Sequence, residues 1–123
     1  MSVTGYDNFI LTNFFEGIDE TLKKVFNSEK ELKKEFGSEK ARLIMRRIAV
    51  LRASPVLAEV PHRKPERRHE LRGKRSGHFA VDLKHPYRLI FKPDHKPLPR
   101  KDDGGLDLAQ ITAIKILGVE DYH

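Results

Sequence analysis

The chain has 123 residues, a formal net charge of +6 at pH 7 and no cysteine. This length predicts one domain over residues 1–123 with a modest core, and the lack of cysteine excludes disulfides and thiolate metal sites. No apolar run reaches the roughly 18 residues of a membrane span, and the N-terminus lacks the pattern of a secretory signal. We therefore expect a cytoplasmic protein whose basic surface binds acidic partners such as nucleic acid.

The N-terminal part of the chain predicts a weak strand followed by helices. Phe9–Phe15 is apolar with poor alternation, and Glu20–Phe26 has one apolar side, as a helix does. Ser28 and Glu31 then fit a capping box, in which the serine hydroxyl and the glutamate carboxylate satisfy free backbone amides. This box predicts the start of a short helix, Glu29–Phe36.

A second helix is predicted directly after the first. Gly37 ends the first helix because glycine adopts a positive φ without steric cost. The next helix runs from Ser38 to about Ala53, and Ser54-Pro55 ends it because the residue before a proline avoids the α conformation. Its apolar residues recur at helical spacing and predict a core-facing stripe: Ile44, Ile48 and Leu51, with Met45 beside them. Its arginines predict a mainly solvated face: Arg42, Arg46, Arg47 and Arg52.

The rest of the chain predicts strands joined by turns and loops. The segment His62–Arg75 is rich in lysine and arginine, and within it Arg67–Gly73 predicts a short strand before a glycine turn. Lys92–Gln110 contains three prolines and two glycines, which predict a surface loop. Ala109–Val119 is apolar on both faces and predicts a central strand. The expected fold class is α+β, with N-terminal helices packed on a twisted, mostly antiparallel β-sheet.

A β-hairpin is predicted within Gly77–Pro93. Two runs rich in aromatic and β-branched residues, Phe79–Lys84 and Tyr87–Lys92, flank the turn dipeptide His85-Pro86. Side chains alternate along each strand, and a three-residue loop brings the apolar ones to one face. That face is predicted to carry Phe79, Val81, Leu83, Leu89 and Phe91.

The same register makes a prediction about charge. It pairs Lys84 with Arg88 and Leu83 with Leu89. Two cations directly opposite each other on neighbouring strands repel by a few tenths of a kcal/mol up to about 1 kcal/mol. The pair therefore predicts either an anion bound between the cations or neutralisation by Asp82 on a hydrated face.

The side chains that could carry chemistry exclude several classes of site. Six histidines are present, but their spacing fits neither a zinc protease nor a zinc finger, so we expect no metal and no other cofactor. The sequence has no phosphate-binding glycine loop and no nucleophile elbow, and these absences argue against nucleotide hydrolysis and acyl transfer. What remains is a set of acid/base and cationic residues suited to metal-free chemistry on a phosphate: His69, Lys84, Arg88, Asp121, Tyr122 and His123.

Four short sequences, in this order, carry a family resemblance: HELRG (His69–Gly73), Gly77-His78-Phe79, PYRLIF (Pro86–Phe91) and the terminal EDYH (Glu120–His123). Together, in a small basic chain, they resemble the HigB toxins of the RelE/ParE superfamily, the toxin halves of bacterial toxin–antitoxin pairs. The resemblance extends from about Leu32 to the end of the chain. It implies the α+β fold described above and ribosome-dependent cleavage of mRNA without a metal.

The resemblance also implies a role for each matching residue. The implied catalytic residues are His69 as general base or acid, Arg88, Asp121 and His123. The implied substrate-binding residues are Arg72 at the scissile phosphate, Lys84, Tyr122 as a stacking platform for a base, Arg68 and Arg75. Arg72 stands where many members have lysine; a guanidinium keeps the charge but does not act as a general acid.

Three functions are compatible with the sequence. The first is the mRNA endonuclease, in which a ribose 2′-OH attacks the neighbouring phosphate and translation stops. The second is a non-enzymatic inhibitor of a protein target such as DNA gyrase, as in ParE-type relatives. The third is a degenerate toxin that acts only in a DNA-bound toxin–antitoxin complex. The implied partners are a helix-turn-helix antitoxin, the ribosome and mRNA, with operator DNA reached through the antitoxin.

Overall fold

The computed structural model of the protein describes residues 1–4 and 29–121. The predicted strand Phe9–Phe15 and the predicted helix Glu20–Phe26 lie outside these ranges. The described elements, in chain order, are β1 (Ser2–Thr4), α1 (Glu29–Ala53), β2 (His69–Glu70), β3 (Phe79–Asp82), β4 (Tyr87–Pro93) and β5 (Ala113–Asp121). They form an α+β arrangement, as predicted.

The strands form one sheet in the order β1-β5-β4-β3-β2. The ladders from β2 to β5 are antiparallel, whereas β1 pairs with β5 in parallel. The prediction of a central C-terminal strand is confirmed, because β5 has a neighbour on each side. It begins at Ala113 rather than Ala109, since Leu108–Gln110 forms a 3-10 turn.

The helix α1 is interrupted at Gly37, as its sequence predicts. Gly37 has φ 85° and ψ 162°, which is not a helical conformation, so α1 consists of two helical segments. Its apolar side packs on the sheet and forms the main core with Val81, Leu89 and Val119. In the described ranges, no helix is long and apolar enough to cross a membrane.

We call the face of the sheet that packs on α1 the inner face and the opposite one the outer face. The inner face carries the large apolar side chains, and Phe79 stacks on Phe91 there with ring centroids 6.0 Å apart. The outer face has a smaller buried cluster made of Leu71, Ala80, Ile90 and Leu117. Since the inner face supplies most of the buried apolar surface, the outer face is available for polar side chains.

The hairpin formed by β3 and β4 has the predicted apolar face but a different register. Asp82, rather than Lys84, lies opposite Arg88, and the connecting loop consists of residues 84–86. The predicted pairing of Lys84 with Arg88 is therefore wrong by two residues. A shift of two residues keeps every side chain on its own face because side chains alternate with a period of two.

The predicted solvated face of the second helical segment is wrong for one arginine. Arg47 is buried, with 7% of its surface exposed, and its Nε donates a 2.6 Å hydrogen bond to the carbonyl of Asp82. The aliphatic part of an arginine packs against apolar surface while its guanidinium remains hydrogen-bonded. Arg47 thus joins α1 to the hairpin, and the other three arginines are exposed, as predicted.

A β-bulge in β5 determines which residues reach the outer face near the C-terminus. The register of the β4–β5 ladder shifts between Ile90 and Phe91, and Leu117 is the extra residue in β5. A bulge changes the alternation of the strand that contains it. Before the bulge the even-numbered residues of β5 face α1, and after it the odd-numbered ones do. Glu120 therefore lies on the outer face.

We expect Gly37→Ala to destabilise the protein by about 1 to 3 kcal/mol, because the positive φ with extended ψ is almost restricted to glycine. A Cβ added at this position would have no atom within 4 Å, so the cost arises from the backbone alone. Urea unfolding measures it, with the exposed Glu35→Ala as the matched control. An equal effect of both substitutions would contradict this explanation.

Candidate functional site

The outer face brings together ionisable residues from four strands and one loop, with Asp82 on β3. His69 lies on β2 opposite the small Ala80, Arg88 lies on β4, and Glu120 lies directly opposite Arg88 on β5. The loop after β2 adds Arg75. The side chains of Arg88 and Glu120 are only 13% and 11% exposed, so their charges interact at the edge of the low-dielectric interior.

The imidazole of His69 has a defined tautomer in its neutral form. Its Nδ1 lies 2.8 Å from the carbonyl oxygen of Arg67. A carbonyl only accepts hydrogen bonds, so Nδ1 carries the proton and Nε2 carries the lone pair, which accepts a hydrogen bond from Arg88. Nε2 lies 3.5 Å from Nη1 of Arg88. This geometry places a potential general base beside a fixed positive charge.

The carbonyl that orients His69 is itself held by an ion pair. Arg67 has a φ of 46°, a left-handed conformation that non-glycine residues seldom adopt. Its guanidinium donates two hydrogen bonds to the carboxylate of Asp82, at 2.6 Å and 2.9 Å. Two parallel charge-assisted hydrogen bonds restrict both partners. Asp82 thus stabilises the local backbone that presents the Arg67 carbonyl to His69.

Glu120 binds two arginines at once. Its Oε1 accepts hydrogen bonds from Nη2 of Arg88 and from Nη1 of Arg75, both at 2.9 Å. Burial by itself raises the pKa of the Glu120 carboxyl, but the hydrogen bonds from Arg75 and Arg88 outweigh burial, so the pKa lies below the usual glutamate value. The carboxylate is therefore ionised at neutral pH, and the three groups together have a charge of +1.

The structure brings some of the predicted site residues together and separates others. His69, Arg88 and Arg75 share the outer face. Asp121 lies opposite Tyr87 on the inner face, because the bulge reverses the alternation before the strand ends. It is therefore on the other side of the sheet from Arg88.

Two predicted substrate-binding residues have other partners. Lys84 forms a 2.8 Å ion pair with Glu39 of α1, and both side chains are exposed. Arg68 donates a 3.0 Å hydrogen bond to the Val60 carbonyl, and burial lowers the pKa of its guanidinium. Neither of these contacts involves His69.

Three predicted site residues remain: Arg72, Tyr122 and His123. Arg72 is exposed, directly before the 3-10 turn Gly73–Arg75. Tyr122 and His123 lie outside the described residues. Within the described part of the chain, no group of three or more histidine, aspartate or glutamate side chains is arranged to hold a metal ion.

The acidic partners of this site, Glu120 and Asp82, were not predicted from the sequence. Glu120 lies inside the EDYH sequence, but only its neighbours received a role. Gly118 is the available signal, because an isolated glycine in an apolar strand often marks a bulge. Arg67 and Asp82 are far apart in the chain, and no sequence signal pairs them.

Comparison with known proteins identifies no relative of this chain. No protein-family model, curated protein sequence or solved structure matches this chain significantly.

The ionised Glu120 predicts an acid-sensitive contribution to stability. A carboxyl whose pKa is depressed by folding stabilises the protein above its unfolded value of about 4.3, and this contribution is lost as the pH falls through the folded pKa. We expect Glu120→Gln to lower the free energy of unfolding at pH 7 by about 1 to 3 kcal/mol, because two partly buried guanidinium groups lose their counter-ion.

The measurement is urea unfolding of the wild type and of Glu120→Gln at pH 7 and pH 3. The difference between the two proteins should shrink as the pH falls from 7 to 3, because below about 4.3 the carboxyl of the unfolded chain takes up a proton before the folded one, whose pKa is lowered, does. The exposed Glu59→Gln makes the same change of charge and is the control. A difference that stays constant with pH would show that ionisation of Glu120 does not contribute to stability.

Proposed function

We propose that this protein is a HigB-like toxin with a RelE-like fold that cleaves mRNA on the ribosome without a metal ion. The observation that carries the proposal is the placement of His69 Nε2 at 3.5 Å from the guanidinium of Arg88. The order of the four motifs in the sequence and the packing of a helix on an antiparallel sheet support it.

The proposed chemistry is attack of a ribose 2′-OH on the adjacent phosphate. His69 Nε2 takes the proton of the 2′-OH, and the new bond to phosphorus forms as the bond to the 5′-oxygen breaks. The 5′-oxygen takes up a proton from water, and His69 then releases its proton to the solvent, which leaves a 2′,3′-cyclic phosphate and a 5′-hydroxyl. Arg88 stabilises the negative charge on the phosphorane, since a fixed cation in a partly desolvated site interacts strongly with it.

The basic residues around this pair would hold the RNA. Arg75 lies beside Arg88, and Arg72 is exposed just before the same turn. Contacts of this kind recognise phosphates and weaken as salt increases. The resemblance assigns further catalytic roles to Asp121 and His123 and base stacking to Tyr122. Asp121 lies on the other side of the sheet from Arg88, so the proposed step on the outer face does not use it.

The proposed partners follow from the same resemblance. They are the ribosome with its mRNA and a helix-turn-helix antitoxin, through which the toxin reaches operator DNA, and the proposed location is the cytoplasm. A net charge of +6 favours association with an acidic segment of the antitoxin and with ribosomal RNA.

A second candidate function is non-enzymatic inhibition of a protein target such as DNA gyrase. The observation that favours it is the ion pairing of Arg88 and Arg75 with Glu120, since arginines that are already ion-paired suit a structural role as well as a catalytic one. An inhibitor has no need for a histidine whose Nε2 carries a lone pair beside an arginine. Loss of that nitrogen therefore separates the two candidates.

We expect His69→Ala to lower the rate of mRNA cleavage by about 100- to 10,000-fold, the usual contribution of a general base. The measurement is mapping of mRNA 5′ ends in cells shortly after induction, together with growth. Wild type should produce new ends inside reading frames and in codon register. His69→Ala and a chain without His123 should produce neither these ends nor growth arrest.

The matched control is His62→Ala, which removes an exposed histidine from the same basic segment and should leave cleavage unchanged. Growth arrest with intact mRNA would reject the nuclease and favour the inhibitor. Full toxicity of both the His69→Ala and the His123-deleted proteins would also reject it.

A further inference from the structure

We infer that Glu120 is a positioning residue, which fixes the guanidinium groups of Arg88 and Arg75 around one phosphate position next to His69. This inference rests on the proposed function and assigns the site a residue that the family motifs did not. Glu120 touches neither His69 nor, in the proposed reaction, the reacting atoms. It acts through the two arginines that it holds.

The first support is that the fold places the Glu120 carboxylate on the outer face. The bulge at Leu117 reverses the alternation of β5 and turns Glu120, rather than Asp121, toward the outer face. Glu120 then lies directly opposite Arg88 on the neighbouring strand, where side chains approach most closely. Burying a carboxylate there costs free energy unless it is paired. The two arginines therefore stabilise the buried Glu120 carboxylate, and the carboxylate in turn fixes the positions of the two arginines.

The second support is the geometry at Arg88. One side of its guanidinium, Nη2, donates to Oε1 of Glu120 at 2.9 Å. The other side, Nη1, lies 3.5 Å from Nε2 of His69. Because the guanidinium is planar and rigid, fixing Nη2 also fixes the direction of Nη1. Without Glu120 the side chain has further rotamers, and the distance from Nη1 to His69 is no longer set.

The third support is the reach of Arg75. This residue ends the short turn Gly73–Arg75, and its side chain crosses from the loop to the carboxylate on β5. Nη2 of Arg75 lies 2.5 Å from Oε2, the second oxygen of Glu120. One carboxylate thus gathers two cations and leaves a charge of +1. A phosphate bound at the two guanidinium groups would meet a preorganised, still positive site.

The test separates positioning from binding by measuring kcat and KM of ribosome-dependent cleavage, with purified ribosomes carrying a defined mRNA. Glu120→Gln removes the charge that orients the arginines but leaves all the cations in place. We expect kcat to fall by about 10- to 100-fold, because small misplacements of catalytic groups have effects of this size. KM should stay the same or decrease, since the protein gains one positive charge.

Glu59→Gln is the control, because it makes the same change of charge at an exposed position in the 3-10 turn Leu57–Glu59 and should leave kcat unchanged. Glu120→Asp guards against misfolding: it keeps the charge on a side chain one methylene shorter, and kcat should lie between the values of the wild type and Glu120→Gln. A second readout is nuclear magnetic resonance of the arginine side chains, in which the slowed guanidinium motion of Arg88 and Arg75 should be lost in Glu120→Gln.

Three outcomes would overturn the inference while the wild type cleaves mRNA. They are an unchanged kcat in Glu120→Gln, a rise in KM without a fall in kcat, and arginine signals that do not change. A wild type that cleaves no mRNA is a different result. It rejects the proposed function itself. The catalytic positioning role is then rejected too, even if the resonance signals of the arginines change in Glu120→Gln.

Discussion

The ladder between β4 and β5 is the constraint on which the rest of the structure depends. It is the longest strand pairing among the described residues, and it joins the hairpin to the C-terminal strand. Its bulge divides β5 into a part whose even-numbered residues face α1 and a part whose odd-numbered residues do. The same ladder therefore builds the core at one end and delivers a carboxylate to the outer face at the other.

The two faces of the sheet contribute differently to the structure. The inner face buries large apolar side chains against α1, and this burial is the main stabilising contribution in a domain of this size. The outer face holds charged groups in a partly desolvated position, where pairing is required to offset the loss of hydration. Catalytic or binding groups can therefore be placed on the outer face without disturbing the packing on which the fold depends.

The acidic residues of the outer face each organise a basic one. Asp82 holds Arg67, whose carbonyl orients His69, and Glu120 holds Arg88. Both carboxylates lie on residues directly opposite Arg88 in the ladder registers, one on each neighbouring strand. Their arrangement gives the imidazole a defined tautomer and the guanidinium a defined direction, and the proposed reaction depends on both.

The sequence by itself determined the α+β class, the break at Gly37, the central position of the last strand and the apolar face of the hairpin, because each depends on local periodicity or on a single backbone preference. It did not determine the hairpin register, since a shift of two residues leaves the same apolar pattern. Nor did it determine the partners of Arg88, Lys84 and Asp121. The bulge and the packing of distant segments decide those, through contacts that no local pattern encodes, and only the tertiary structure places Glu120 instead of Asp121 beside Arg88.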